Sequence, residues 1–247
     1  MSVHLVGGGW ADGPAPEVYG RFRAEAAAAT ERRSGKGAPR VLVVAIRDGD
    51  QDDHAAKLVA ALSRAGDVEP VVVALAEGDD VPVETFAGTG ADDLDGVVVG
   101  GGLTPAYRDA LVPHADAIRA LVSRGLPYLG FSAGSAIAAD HALVGGWRIG
   151  DVEVCPEDSS EDLDDVTVLP GLGLVDVAVD VHAAQWGTLT RLVAATEAGL
   201  VPGGVAIDES TVLVVGTGSL VVAGAGSVWR VIPGADGDAV QVSSLRA

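Results

Sequence analysis

Residues 40–46, Arg-Val-Leu-Val-Val-Ala-Ile, limit the fold more than any other stretch of the chain. An apolar run this short, with no polar face to offer water, is a strand buried on both sides. Residues 71–75, 97–99 and 126–129 read the same way. Between them lie segments with helical spacing. Residues 17–32 carry an alanine run, residues 52–64 put Leu58, Ala61 and Leu62 on one side, and residues 106–111 and 115–124 are separated by Pro113. Regular strand–helix alternation predicts an α/β chain whose parallel sheet is covered on both faces. Residues 3–6 add a short strand at the start. The later apolar runs at 175–181, 205–207, 211–215, 220–223, 229–232 and 240–242 are expected to complete the sheet, with a helix over 188–198. Residues 142–149 read as a hairpin. Residues 77–95 carry little regular structure, and the acidic stretch 157–165 reads as a solvated surface loop. No linker or repeat divides the chain, so residues 1–247 are expected to form one domain.

Composition excludes several function classes. A formal net charge of −19 argues against a nucleic-acid or anionic-membrane partner, since both need a basic face. Cys155 is the only cysteine, so neither an internal disulfide nor a cysteine zinc cluster is available. That fits a cytoplasmic location, as does a first segment without a basic flank or a long apolar core. No run approaches the ~18 apolar residues of a membrane span. Gly7-Gly8-Gly9 after the first strand invites a dinucleotide-binding reading, but the motif needs glycine at position 12 and finds Asp12. No organic cofactor or metal is expected.

Ligands of open α/β sheets sit beyond the carboxyl ends of the strands. Two small-residue turns fall there, Gly100-Gly101-Gly102 and Gly130-Phe131-Ser132-Ala133-Gly134. The second is a G-x-S-x-G elbow: a sharp strand-to-helix turn that exposes a serine hydroxyl above the sheet. Pro105 suits the first turn of the helix that follows Gly102, with Thr104 as its cap. Serine needs a base within hydrogen-bond reach, and the chain has five histidines. His4, His54, His114 and His141 read as structural or surface residues. His182 directly follows an apolar strand, which places it on the same sheet edge as Ser132. The base in turn needs a carboxylate to orient it. Asp208 and Glu209 end one strand, and Asp180 lies two residues before His182, so three carboxylates compete.

Taken together, these motifs resemble the serine peptidases that include cyanophycinase and dipeptidase E. The matching stretches are Gly101-Gly102-Leu103-Thr104, Gly130-Phe131-Ser132-Ala133-Gly134-Ser135, Asp180-Val181-His182 and Gly204-Val205-Ala206-Ile207-Asp208-Glu209-Ser210-Thr211, in the family's order. The resemblance implies a three-layer α/β/α sandwich with a mostly parallel central sheet, like the flavodoxin-like class I glutamine amidotransferase fold. It implies Ser132 as nucleophile, His182 as base, Glu209 as orienting acid, and an oxyanion hole from the N–H groups of Gly102 and Ala133. Thr104, Asp180 and Arg191 are the implied substrate-binding residues. A small peptide or isopeptide is the implied substrate, and a homodimer the implied assembly. After the histidine the family carries an aromatic residue and a pair of arginines. Here Trp186 and Thr188 stand at the arginine positions and only Arg191-Leu192 matches. The hydrolytic set therefore carries over, while the pocket for an acidic substrate does not. Two other readings share the fold: a glutamine amidotransferase-like enzyme, which would need cysteine in the elbow, and a non-catalytic binding protein.

Overall fold

In the computed structural model residues 2–10, 15–33, 35–234 and 239–246 are described, so Asp12 and Ser34 lie outside the described residues. The first half alternates as expected. β1 (Ser2–Val6), α1 (Ala15–Arg33), β2 (Arg40–Arg47), α2 (Gln51–Ala65), β3 (Glu69–Ala76), the single turn α3 (Thr89–Asp92) and β4 (Gly96–Val99) follow one another. Then come α4 (Thr104–Leu111), α5 (Ala115–Ser123), β5 (Tyr128–Phe131) and the single turn α6 (Ala133–Ala136). The second half holds β6 (His141–Gly145), β7 (Arg148–Ile149), β8 (Val152–Glu153), β9 (Thr167–Pro170), β10 (Ala178–Val181) and α7 (Leu189–Glu197). It ends with β11 (Gly204–Ile207), β12 (Thr211–Gly216), β13 (Val221–Gly224), β14 (Ser227–Pro233) and β15 (Val240–Arg246).

The central sheet has seven strands in the order β13-β12-β1-β5-β4-β2-β3. β1, β5, β4, β2 and β3 are mutually parallel, and β12 and β13 extend the β1 edge antiparallel. Side chains alternate across a strand, and β2 shows the result. Val41 and Val43 pack with Val18, Phe22 and Ala26 of α1 and Leu58 and Leu62 of α2. Leu42, Val44 and Ile46 face the opposite layer with Tyr107, Leu111, Ile118 and Leu121 of α4 and α5. Both faces of the sheet are thus covered by helices, which is the layered α/β architecture anticipated from the continuous apolar runs.

The second half departs from expectation. β10, β11, β14 and β15 do not complete the central sheet but form a second one, in that order, with β10 and β11 parallel. The chain crosses between sheets at Asp208-Glu209-Ser210, where Ser210 has a φ of 54° and turns β11 into β12. Val179, Val181, Val205 and Ile207 of the second sheet pack into the same apolar cluster as Leu42 and Val44 of the first. α7 covers the other side of the second sheet, packing Leu192 and Ala195 on Ala178, Ala206 and Val231. Residues 142–149 are not a hairpin. β6 pairs with β9 and β7 with β8, because Gly145 and Gly146, at φ values of 149° and 95°, redirect the chain between β6 and β7. Among the described residues no helix is long and apolar enough to cross a membrane.

Candidate functional site

β5 runs parallel between β1 and β4 and ends at the serine elbow. Ser132 has a φ of 53°, on the left-handed side that a non-glycine residue rarely occupies. The elbow glycines are dictated by contact. A Cβ on Gly130 would lie 2.4 Å from the carbonyl oxygen of Gly134, and one on Gly134 would lie 2.3 Å from that of Val99. α6 is a single turn, so little helix dipole is aimed at the serine. What the elbow supplies is the Ala133 N–H adjacent to it. In the turn after β4, the Gly100 N–H goes to the Val44 carbonyl and the Gly101 N–H to His54 Nε2 at 3.0 Å. Gly102, next in line, lines the same cleft as Ser132.

β10 and β11 bring the partners from the second sheet. Their parallel register sets Val181 beside Ile207, so His182 and the Asp208-Glu209 pair leave the sheet side by side. His182 Nε2 lies 2.8 Å from Ser132 Oγ, and His182 Nδ1 lies 2.7 Å from Glu209 Oε1. The carboxylate facing the imidazole is therefore that of Glu209. Asp208 instead accepts the N–H groups of Ala184 and Ser227 and the indole N–H of Trp229. Burial holds the His182 imidazole below the ordinary histidine value, while the hydrogen bond and charge of Glu209 pull it back up. Trp186, one turn on, stacks on the ring with centroids 3.8 Å apart and planes within 7°.

The segment after β1 ties this arrangement together. The Val6, Gly7 and Gly8 carbonyls accept the N–H groups of Ser132 (3.0 Å), His182 (3.0 Å) and Ser210 (2.8 Å), respectively. A Cβ on Gly8 would lie 2.2 Å from His182 Cε1. The end of β1 with its triple glycine, read from sequence as a broken dinucleotide motif, is the scaffold on which the three segments converge: Ser132 on Val6, His182 on Gly7 and Ser210 on Gly8. A run of glycines at a strand end in a chain with a serine elbow was the available signal.

His54, taken from sequence as structural or surface, is buried and acts as the acceptor that holds the Gly101 turn. Burial, aided by Arg47 and Lys57, lowers its pKa to about 4, which keeps the acceptor nitrogen unprotonated. Trp10 stacks on Phe131, with ring centroids 4.6 Å apart, and meets His54 edge-on. Sequence reasoning overlooked Trp10, and an isolated aromatic residue outside any motif gave no signal.

The serine opens into a cleft of about 720 Å³. Trp10, Arg47, Asp50 and Lys57 lie on its borders, together with Glu157, Asp158, Glu161 and Asp162 from the acidic stretch. That stretch lies at the surface but is not free. The Ser159 carbonyl accepts from Arg191 (2.6 Å), and Glu161 Oε2 accepts the Thr104 N–H (2.8 Å). Burial pushes the Glu161 carboxyl up, opposed by that N–H and by the Arg191 charge. Thr104 consequently does not cap α4. Leu103 holds the cap position, Thr104 is buried, and its N–H is taken by Glu161. Asp180 and Arg191 do not line the cleft. They form a buried bidentate pair at 2.9 and 2.7 Å on the far side of β10. Among the described residues no group of three or more His, Cys, Asp or Glu side chains is placed to hold a metal ion.

No protein-family model matches the sequence. None of the curated proteins matches it either. Among solved structures, the chain is similar to one from Listeria monocytogenes EGD-e described as a "Putative Peptidase E Protein", with a TM-score of 0.54 and 15% identity. The similarity covers 92% of this chain and 99% of that one, so what the two share across nearly their whole length is the fold.

Proposed function

We propose that the protein is a serine hydrolase of the cyanophycinase and dipeptidase E kind, cutting a small peptide or isopeptide amide through an acyl-enzyme. The observation that carries this reading is the continuous relay from Ser132 Oγ through His182 to Glu209, with contacts of 2.8 and 2.7 Å. The fold shared with the Listeria protein supports the same reading, by analogy of fold.

In this mechanism His182 carries its proton on Nδ1, donated to Glu209, and accepts the Ser132 hydroxyl proton at Nε2 as Oγ attacks the carbonyl carbon. The imidazolium is stabilised by the Glu209 carboxylate. The oxyanion of the tetrahedral intermediate accepts hydrogen bonds from the Ala133 and Gly102 N–H groups. On collapse the C–N bond breaks, and His182 Nε2 returns the proton to the departing amine. Water, deprotonated by the same nitrogen, then frees Ser132 from the acyl group. Replacement of Ser132 by alanine is expected to abolish covalent labelling by a fluorophosphonate probe that modifies the wild type at that residue. Equal labelling of the two proteins, or a tag found on another side chain, would refute the assignment.

A further inference from the structure

We propose that Glu161 makes the cleft selective for substrates bearing an ammonium or guanidinium group, by filling with its own carboxylate the position where an acidic substrate would dock. The proposal rests on the hydrolase reading above and names its substrate class.

A helix N-terminus beside the reaction centre is where a substrate carboxylate finds unpaired N–H groups. α4 starts two residues after Gly102, and its first N–H, that of Thr104, is already bound to Glu161 Oε2 at 2.8 Å. The chain's own carboxylate sits where a ligand's would. The geometry is imposed rather than incidental. Glu161 and Asp162 are successive non-glycine residues with φ values of 57° and 58°. Such conformations are strained for non-glycine residues and persist only where the surroundings hold them. Here the Ser160 carbonyl accepts the Gly146 N–H (2.7 Å), the Ser159 carbonyl accepts from Arg191 (2.6 Å), and the Asp164 carbonyl accepts the Trp147 N–H (3.0 Å).

Charge in the rest of the cleft agrees. Glu157, Asp158 and Asp162 line it beside Glu161. Arg47, also on the cleft's border, makes a bidentate pair with Asp50, at 2.8 and 3.0 Å, and Lys57 is the other cation. Carboxylates outnumber cations on this cleft, and an excess of one sign of charge concentrates the opposite sign. A lysine- or arginine-like residue, or a free amino group next to the scissile amide, is the ligand that meets these carboxylates. An aspartate-like residue meets repulsion and an occupied helix end.

The test measures second-order labelling rates of Ser132. It uses a neutral fluorophosphonate and two matched diphenyl phosphonates that differ only in an ammonium or carboxylate on the side chain. In the wild type the ammonium probe is expected to react at least about tenfold faster than the carboxylate probe, equivalent to about 1.4 kcal/mol. In Glu161→Gln the ratio of ammonium to carboxylate rates should fall several-fold, each rate being normalised to that of the neutral probe on the same variant. If that variant does not fold, Asp158→Asn/Asp162→Asn removes two exposed charges from the same wall and should lower the ratio about threefold. Absence of labelling by the neutral fluorophosphonate overturns the hydrolase reading and this proposal with it. Neutral labelling with equal rates for the charged pair, or a ratio unchanged in the variants, overturns this proposal alone.

Discussion

Ser132 and His182 share an uncommon backbone state, with φ values of 53° and 56°. Each costs about 1–3 kcal/mol, and each is held by a hydrogen bond to a carbonyl of the strand-end segment at Val6 and Gly7. The strain aims the two side chains at one another rather than along their strands. At this scale the pH dependence follows. Burial sets His182 below the ordinary value of 6.5 and Glu209 raises it, so the fluorophosphonate labelling rate should climb with pH along a limb centred below 6.5. His54 is held near 4 and is neutral at neutral pH. Glu209→Gln removes the carboxylate that raises His182 most, leaving the smaller effect of Asp180. Its limb should move to lower pH while the plateau rate drops by about 10²–10⁴-fold, since the tautomer is no longer fixed. A limb that moves upward, or an unchanged plateau, would contradict the role given to Glu209. Ser132 and His182 stood out as candidates in the sequence because each stands at a strand end in a motif of its own, and the fold brings them within hydrogen-bond reach. The choice between Glu209 and Asp180 was not legible there. Alternation along a strand tells which face a side chain takes but not what waits there, and what faces Asp180 is Arg191.

Among the elements, the short turns decide more than the helices. The glycine segment after β1 receives three separate parts of the chain, and the turn after β4 is fixed by His54 on α2. Gly8 has a φ of 92°, and a methyl group there would strike the His182 ring. Gly8→Ala is expected to slow Ser132 labelling by about 100-fold or more, the usual penalty of moving a catalytic group by about 1 Å, while far-UV circular dichroism stays native-like. His54→Leu keeps the bulk but removes the acceptor for the Gly101 N–H. Its labelling should fall about tenfold or more as the neighbouring Gly102 N–H loses its aim, with an upper bound near the 10²–10³ of a lost oxyanion donor. Wild-type rates in either variant would show that the turn needs no such support. The sequence revealed the central strands because burial on both faces demands unbroken apolar runs. It did not reveal which sheet the later strands join, since the runs at 205–207 and 211–215 look alike and only the Ser210 turn between them separates the sheets. The need for glycine at position 8 likewise arises from a side chain at position 182, far along the chain, and no local pattern encodes it.

Taken whole, the molecule places the Ser132–His182–Glu209 cluster on a seam. Ser132 and the Gly102 turn end strands of the central sheet, whereas His182 and Glu209 end strands of the second. The proposed hydrolysis would therefore depend on the position of one sheet against the other. The Asp180–Arg191 pair is buried near that seam. Arg191 on α7 donates two hydrogen bonds to Asp180 on β10, and others to the Ser159 and Gly146 carbonyls at 2.6 and 3.3 Å. One guanidinium thus fastens α7 to β10 and the acidic stretch to both. Removing a single member of a buried pair leaves the other charge without compensation, so Asp180→Ala is expected to lower unfolding free energy by about 3–5 kcal/mol. Replacing both by apolar residues, Asp180→Leu with Arg191→Met, removes the buried charges and should return most of that loss in urea unfolding. The double variant still lacks the donors to Ser159 and Gly146, so the wall carrying Glu161 should loosen. Its neutral-probe labelling should approach the wild-type rate while its preference between charged probes weakens. If the double variant is no more stable than Asp180→Ala, the pair is not what limits stability at the seam. If it keeps the full charge preference, the acidic wall is held in place by something other than Arg191.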